Sequence, residues 1–492
     1  MRRAKLCLCL TADTLEKDKA ILDAWADRVD LAELRADFLT EEERRHIPTL
    51  PRRSSVPLIL TVRRVRDGGR FAGNEGARTG LLSSGVRAGY RYLDLEADFS
   101  VPELEETARS RGVRIIRSRH ELTGMQAVEA AALGRLAHRE DEIPKLAVNL
   151  GSTADLLALL RMREAMGRGE RILIGMGSFG APTRILAGRL GSFLCYASPP
   201  PELSPEAAAG QLDLESLLTV YRFRTIGAGT RVFGVIGDPI MHSFSPRIHN
   251  PAFDRLGLDA VYLPFRIDRI GDFFPVADEL EIQGVSVTIP HKQTVLPFLA
   301  HRSEAVAATG ACNTLVRTGS AGWYGENTDV AGFLAPLAPL LDDLERRSAT
   351  VIGAGGAARS VVYALRREGF SVLILNRTPD RARGLAEEFG CRWDGLDEKG
   401  ARRAADYAGL LVQTTSVGMA PGTGADPLPA YEFRGTETVY EIVYNPPETR
   451  FLQRAGKAGC RTLAGWEMLQ AQAEAQFALF TGMTFPGSGE KP

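Results

Sequence analysis

Lys145 interrupts an apolar run, IPKLAV, and is the residue whose chemistry is hardest to dismiss. A lysine alone in such a run would most simply pack its stem and snorkel its ammonium to water. This one has company in Glu33 and Arg35 of ELRAD, Arg63 of TVR, His120 of SRHEL and Arg184 of TRILAGRLGS. Neighbouring cations and a dry setting both favour the neutral amine over the ammonium. A neutral amine attacks a ketone to form a Schiff base, and the iminium draws electrons from the adjacent carbon. His120 is the candidate base for the proton on that carbon. The arginines offer bidentate partners for a carboxylate.

A second chemistry is carried by VIGAGGAARS, whose turn comprises Gly353, Ala354, Gly355, Gly356 and Ala357. Glycine-rich turns are common, but this one follows a strand pattern and opens a helical one, ARSVVYALRREG. The next strand, SVLILN, ends where a nucleotide-binding fold reads the ribose. NAD enzymes place Asp or Glu there. This chain has Asn376, Arg377 and Thr378, with Arg381 one helical turn on. No carboxylate is present to accept a 2′-hydroxyl, and an arginine is available for a 2′-phosphate, so the preferred cofactor is NADP.

These groups must be positioned by a large scaffold. At 492 residues the chain calls for two or three domains. Up to about Arg224, β-rich runs at 5–10, 29–34, 57–62, 90–95, 113–117, 145–148, 171–175 and 192–196 alternate with helical patterns. Eight such units predict a (β/α)8 barrel, whose functional side chains gather where strands end on the C-terminal face. The strand endings at Glu33, Arg35, Arg63, Glu96 and His120 agree with that. TIGAGTR then marks a boundary, and VFGVIG opens a two-domain α/β unit whose second part is Rossmann-like. The expected segments are 1–225 for the barrel, 231–335 for a substrate domain and 336–464 for the nucleotide domain. A final segment, 465–492, is a helix returning to the substrate domain.

The N-terminal motifs, with DGG (Asp67 to Gly69), DLE (Asp94 to Glu96) and IPKLAV in order along the half, resemble type I 3-dehydroquinate dehydratase. The resemblance implies Lys145 as the Schiff-base lysine and His120 as general acid/base, with Glu33 orienting the histidine. It implies Arg35, Arg63, Arg184 and Gln211 as substrate ligands. Two departures stand out: Asp67 replaces the usual glutamate, and AAAGQ (Ala207 to Gln211) replaces S-A-P-G-Q, losing a serine hydroxyl.

The C-terminal motifs VFGVIGDPIMHSFSPRIHN, GVSVTIPHK, GACNTL, GENTDVAGF, VQTTSVGM and EIVYNPPET resemble shikimate dehydrogenase. That implies substrate contacts from Ser243, Ser245, Ser286, Thr288, Asn313, Tyr444 and Gln472, with Lys292 and Asp329 as the catalytic pair. Thr415, Met419 and Gly465 join the glycine-rich turn on the cofactor side. An ammonium held by a carboxylate can deliver a proton to the alkoxide that hydride addition leaves.

Together the halves imply successive steps from 3-dehydroquinate to 3-dehydroshikimate to shikimate, in the dehydratase–dehydrogenase order of the plant-type fusions. Two rivals exist: a non-catalytic sensor of quinate-pathway metabolites, and a quinate dehydrogenase specificity in the C-terminal half. The sensor reading expects loss of Lys145, His120, Lys292 or Asp329, and all four are present. A formal net charge of -1 gives no field for nucleic acid or membrane, and no metal or obligate protein partner is implied. The six cysteines show no C-x-x-C and no zinc spacing, and read as reduced thiols. LCLCL near the N-terminus is too short for a secretory h-region, so a cytoplasmic location is expected.

Overall fold

The computed structural model describes residues 3–167, 169–200, 202–203, 211–344 and 347–487. Two compact units comprise Met1–Gly234 with Pro239–Ile282, and Val235–Asp238 with Gln283–Pro492.

The first unit is built on eight parallel strands: β1 (Lys5–Leu10), β2 (Leu31–Arg35), β3 (Leu58–Thr61), β4 (Tyr92–Glu96), β5 (Arg114–Glu121), β6 (Ile143–Asn149), β7 (Ile172–Met176) and β8 (Leu194–Ala197). Each pairs with its sequence neighbour, and β1 also pairs with β8. A parallel bridge between Arg171 and Ser192 joins the remaining edges, closing the barrel. Closure leaves no strand edge exposed. The sixth strand starts two residues earlier than the apolar run suggested and takes Pro144 inside it. The fifth runs on through His120 instead of stopping at Arg117.

Period-2 alternation explains both the core and the site. Cys7, Leu31, Ile59, Tyr92, Ile116, Ile143, Ile172 and Leu194 fill the barrel floor. Two residues further along several of these strands, at positions of the same inward parity, stand Cys9, Glu33, Thr61, Asp94, Ser118 and Lys145. The register aligns Ser118 with Lys145 on one side and with Glu96 on the other. Charged groups therefore sit directly above an apolar plug. In this unit the chain continues through residues 231–234 of β9 (Arg231–Gly237) to β10 (Ala260–Arg266), where Arg231 N donates to Asp259 O at 3.0 Å.

The second unit holds the end of β9 beside β11 (Ile282–Val287), with Thr288 N donating to Ile236 O at 2.9 Å. Next come β12 (His301–Arg302), β13 (Thr314–Arg317) and β14 (Trp323–Glu326). β13 runs antiparallel to β11 and β14, while β12 is parallel to β14. The simple strand–helix alternation expected from the sequence is thus broken by a hairpin. A six-stranded parallel sheet follows: β15 (Ser348–Ile352), β16 (Ser371–Asn376), β17 (Arg392–Gly395), β18 (Leu410–Gln413), β19 (Thr438–Glu441) and β20 (Arg461–Leu463). Its order, β17-β16-β15-β18-β19-β20, is that of a dinucleotide-binding fold. The helix Gly465–Thr481 packs on the helix Asp329–Leu337, where Gly332 allows close approach: a Cβ there would lie 2.7 Å from Gln472 Cβ.

Two candidate active sites

In the barrel, Lys145 Nζ donates to Asp94 Oδ2 at 2.8 Å and lies 4.3 Å from the centre of the Tyr196 ring. Asp94 Oδ1 meets Arg63 at 2.8 Å and accepts from Ser118 Oγ. Arg63 also donates to Glu96 Oε1 and to Ser118 Oγ, each at 2.9 Å. Glu96 in turn takes Arg78, whose Nε donates to Val62 O at 2.7 Å. All these side chains are buried. Such a cluster persists only where each charge has a partner. Burial by itself would raise Asp94, but Arg63 and Lys145 outweigh it and hold the carboxylate well below its usual range.

His120 stands at the end of β5, and its Nδ1 is buried without a hydrogen-bond partner. Burial, then repulsion from Arg63 and Lys145, holds this imidazole well below its ordinary pKa, with Asp94 pulling the other way. The imidazole is therefore neutral at physiological pH, the form a general base requires.

The direct Glu33–His120 contact implied by the resemblance is not made. Glu33 instead accepts from Thr61 Oγ1 at 2.7 Å and from Cys9 Sγ at 3.5 Å, which lie on β3 and β1, the two strands flanking its own. Gln211 reaches the same group, its Nε2 donating to Cys9 Sγ at 3.1 Å. Arg35 is held in a fork by Asp37, at 2.9 and 2.8 Å. Arg184 is different. It is buried, has no ion pair among the described residues, and its Nε has no hydrogen-bond partner. Burial lowers its affinity for its proton. Asp67 pairs with Arg64 at 2.6 Å, and Ala207 lies outside the described residues.

In the second unit, Lys292 Nζ donates to Asp329 Oδ2. Asn313 Nδ2 donates to Asp329 Oδ1 at 2.8 Å and to Thr328 Oγ1 at 2.9 Å. Thr328 precedes the helix Asp329–Leu337 without a side-chain capping bond, and Asp329, its first residue, turns its carboxylate to Lys292 and Asn313. Asn327 Nδ2 ties this corner to the nucleotide-binding helix through Ser360 Oγ at 2.9 Å. Ser286 Oγ donates to Gln476 Oε1 at 2.6 Å, and Gln476 Nε2 donates to Thr314 Oγ1 at 3.0 Å and Asn313 O at 3.3 Å. Asn313 O can only accept, which fixes the orientation of that amide. Thr288 is half-buried just beyond β11. Gln472 turns its amide to Leu469 O of its own helix at 2.8 Å.

Ser243 and Ser245 belong to the first unit. Ser245 begins the helix Ser245–Arg255, and Ser243 Oγ donates to Ser245 Oγ at 3.2 Å.

The glycine-rich turn fits a dinucleotide. Gly353 has φ 116°, and a Cβ there would meet Thr414 Oγ1 at 2.5 Å. Gly355 precedes the helix Gly356–Arg367, and a Cβ on it would meet nothing within 4 Å, leaving backbone N–H groups open to an anion. Asn376 ends β16 and donates to Thr378 O at 2.9 Å. Arg377 and Arg381 are exposed and carry no ion pair among the described residues. Thr415 is held by Gln413, Met419 is exposed, and Tyr444 is half-buried. Gly465 packs its backbone so tightly that a Cβ would lie 2.4 Å from Ile442 O.

Sequence reasoning named Asp94 only as part of a motif, and passed over Ser118, Cys9, Asn327 and Gln476. The inward parity of Tyr92, Asp94 and Glu96 was a usable signal for the first. Gln476, one turn beyond Gln472, had helical spacing in its favour.

Comparison with known proteins covers both halves of the chain. The model of type I 3-dehydroquinase matches residues 6–228. Those of the shikimate dehydrogenase substrate binding domain and of shikimate/quinate 5-dehydrogenase match 235–315 and 337–408. A bifunctional 3-dehydroquinate dehydratase/shikimate dehydrogenase of Arabidopsis thaliana, described as chloroplastic, is 30% identical over 98% of this chain and 82% of its own length. A shikimate dehydrogenase (NADP(+)) of Oleidesulfovibrio alaskensis is 42% identical over 52% of this chain and 91% of its own. The chain belongs to the family of bifunctional 3-dehydroquinate dehydratase/shikimate dehydrogenases.

Proposed function

We propose that this enzyme dehydrates 3-dehydroquinate on Lys145 and reduces the resulting 3-dehydroshikimate to shikimate with NADPH, using Lys292 as proton donor. The observation that carries the first half is a buried lysine beside a neutral, unpartnered imidazole and an unpaired buried guanidinium, Arg184. An uncompensated buried cation is costly, and a substrate carboxylate would offset it. Lys145, once it passes its extra proton to water or substrate, adds to the ketone carbon and expels the oxygen as water. His120 takes the proton from the carbon beside the iminium. The hydroxyl one carbon further leaves with that proton as water, and hydrolysis frees Lys145.

In the second half NADPH, when bound, supplies a hydride to the ketone carbon. Lys292 delivers the proton that the oxygen then needs, and Asp329 holds the ammonium in place. Gly353, Ala354, Gly355, Gly356 and Ala357 would hold the pyrophosphate, and Arg377 and Arg381 the 2′-phosphate. Ser243, Ser245, Ser286, Thr288, Asn313, Tyr444 and Gln472 are assigned to the substrate, and Arg35, Arg63 and Gln211 join Arg184 in the dehydratase. The segments 1–225, 231–335, 336–464 and 465–492 are assigned as dehydratase, substrate domain, nucleotide domain and returning helix. None of the helices among the described residues is long and apolar enough to cross a membrane. The free cysteines favour a cytoplasmic setting.

Borohydride added with 3-dehydroquinate tests the Schiff base. A reduced adduct on the peptide containing Lys145 is expected, and an adduct elsewhere refutes the assignment.

A further inference from the structure

The three glycines of the VIGAGGAARS turn stand in three different settings. Gly353 needs its positive φ of 116°, and Gly355 faces open space. Gly356 has neither excuse: its φ is not positive, and it occupies the first turn of a helix, where alanine is the better former. A Cβ on Gly356 would instead meet one side chain, lying 3.0 Å from Lys292 Cβ, 3.3 Å from Cδ and 3.6 Å from Cγ. The Lys292 stem lies along the bare backbone of the cofactor turn, while its ammonium is tied to Asp329. The backbone of the lysine is pinned as well, since Cys312 N donates to Lys292 O at 2.7 Å.

We propose that Gly356 is a positioning residue for the dehydrogenase reaction, a seat that sets where the Lys292 ammonium stands. Any side chain on Gly356 pushes the stem by a few tenths of an ångström, and with the backbone pinned the displacement passes to Nζ. Misplacing a reacting group by about 1 Å can cost roughly a hundredfold in rate. The inference rests on the reading of Lys292 as proton donor.

The test compares Gly356→Ala with Gly355→Ala in the full chain. Gly356→Ala is expected to lower kcat for 3-dehydroshikimate reduction about tenfold or more at saturating NADPH, with the NADPH Kd from fluorescence titration raised by a smaller factor than in Gly355→Ala. The solvent deuterium isotope effect on kcat should rise, because proton delivery becomes more limiting. Gly355→Ala should do the reverse, weakening NADPH binding with less effect on kcat. Unchanged melting temperature and dehydratase rate show that both variants are folded. If Gly356→Ala weakens NADPH binding and leaves kcat and the isotope effect alone, Gly356 serves only the cofactor and the proposal fails. If Lys292→Ala still reduces 3-dehydroshikimate, the underlying reading fails instead.

Discussion

Lys145 Nζ and Asp94 Oδ2 lie 2.8 Å apart on neighbouring inward positions of the barrel, with Arg63 on the other oxygen of the same carboxylate. One buried anion therefore bridges the nucleophile and its neighbouring cation, and Glu96, 2.9 Å from Arg63, supplies the second negative charge. Asp94 gives the amine a fixed direction and a counter-charge for the cationic iminium once it forms. Asp94→Asn keeps the shape but leaves Lys145 and Arg63 facing each other in a dry site. Dehydratase kcat/KM should fall at least about a hundredfold, roughly 2.7 kcal/mol in barrier, while reduction of 3-dehydroshikimate continues. Retention of dehydratase activity within about threefold would remove Asp94 from the mechanism.

His120 gives a pH signature. Its folded-state value lies well below that of a free histidine, about 6.5, because burial, Arg63 and Lys145 all oppose protonation. The base form thus persists as pH falls through that region. The kcat/KM profile for dehydration should show no histidine inflection near pH 6.5, only one at lower pH. An inflection near the ordinary histidine value would mean that the base is more solvated than the structure shows, or is another group.

Lys292 and Asp329, in contact and proposed as the catalytic pair, should affect only one reaction when disrupted. Asp329→Asn keeps the Asn313 contact but removes the charge that holds the ammonium. Reduction should drop by about two orders of magnitude or more, and dehydration should stay at the parent rate. A parallel fall in both activities would contradict independent sites.

Arg377 and Arg381, exposed and without ion pairs among the described residues, are the residues proposed to set the cofactor preference. Arg381→Ala should raise the NADPH Kd about tenfold while leaving the weaker NADH binding unchanged, since only NADPH has the phosphate. Equal loss for both cofactors would assign Arg381 to the shared part of the nucleotide.

Much of this was legible in the sequence for a physical reason. Barrel strands announce themselves by apolar runs, and their polar endings must face the C-terminal rim, so Glu33, Arg63 and His120 could be placed from the sequence alone. The Rossmann-like character of the nucleotide domain followed from one glycine-rich turn and the spacing to Asn376. What stayed hidden depends on pairwise geometry across distant segments. Glu33 has several possible partners within reach, and nothing local says that Thr61 and Cys9 win over His120. The hairpin of β13 and β14 reads as two short apolar runs whose direction only pairing decides. Gly356 falls on a variable position of the G-x-G-x-x-G/A fingerprint, and only the stem of Lys292, 64 positions earlier in the chain, gives a reason for glycine there.

The most direct test of two activities in one chain supplies purified protein with 3-dehydroquinate and NADPH and follows both NADPH oxidation and shikimate by chromatography. Shikimate should accumulate in equal amount to the NADPH consumed. Lys145→Ala should block that flux, and added 3-dehydroshikimate should restore it. NADPH oxidation without shikimate, or quinate as the reduced product, would contradict the account.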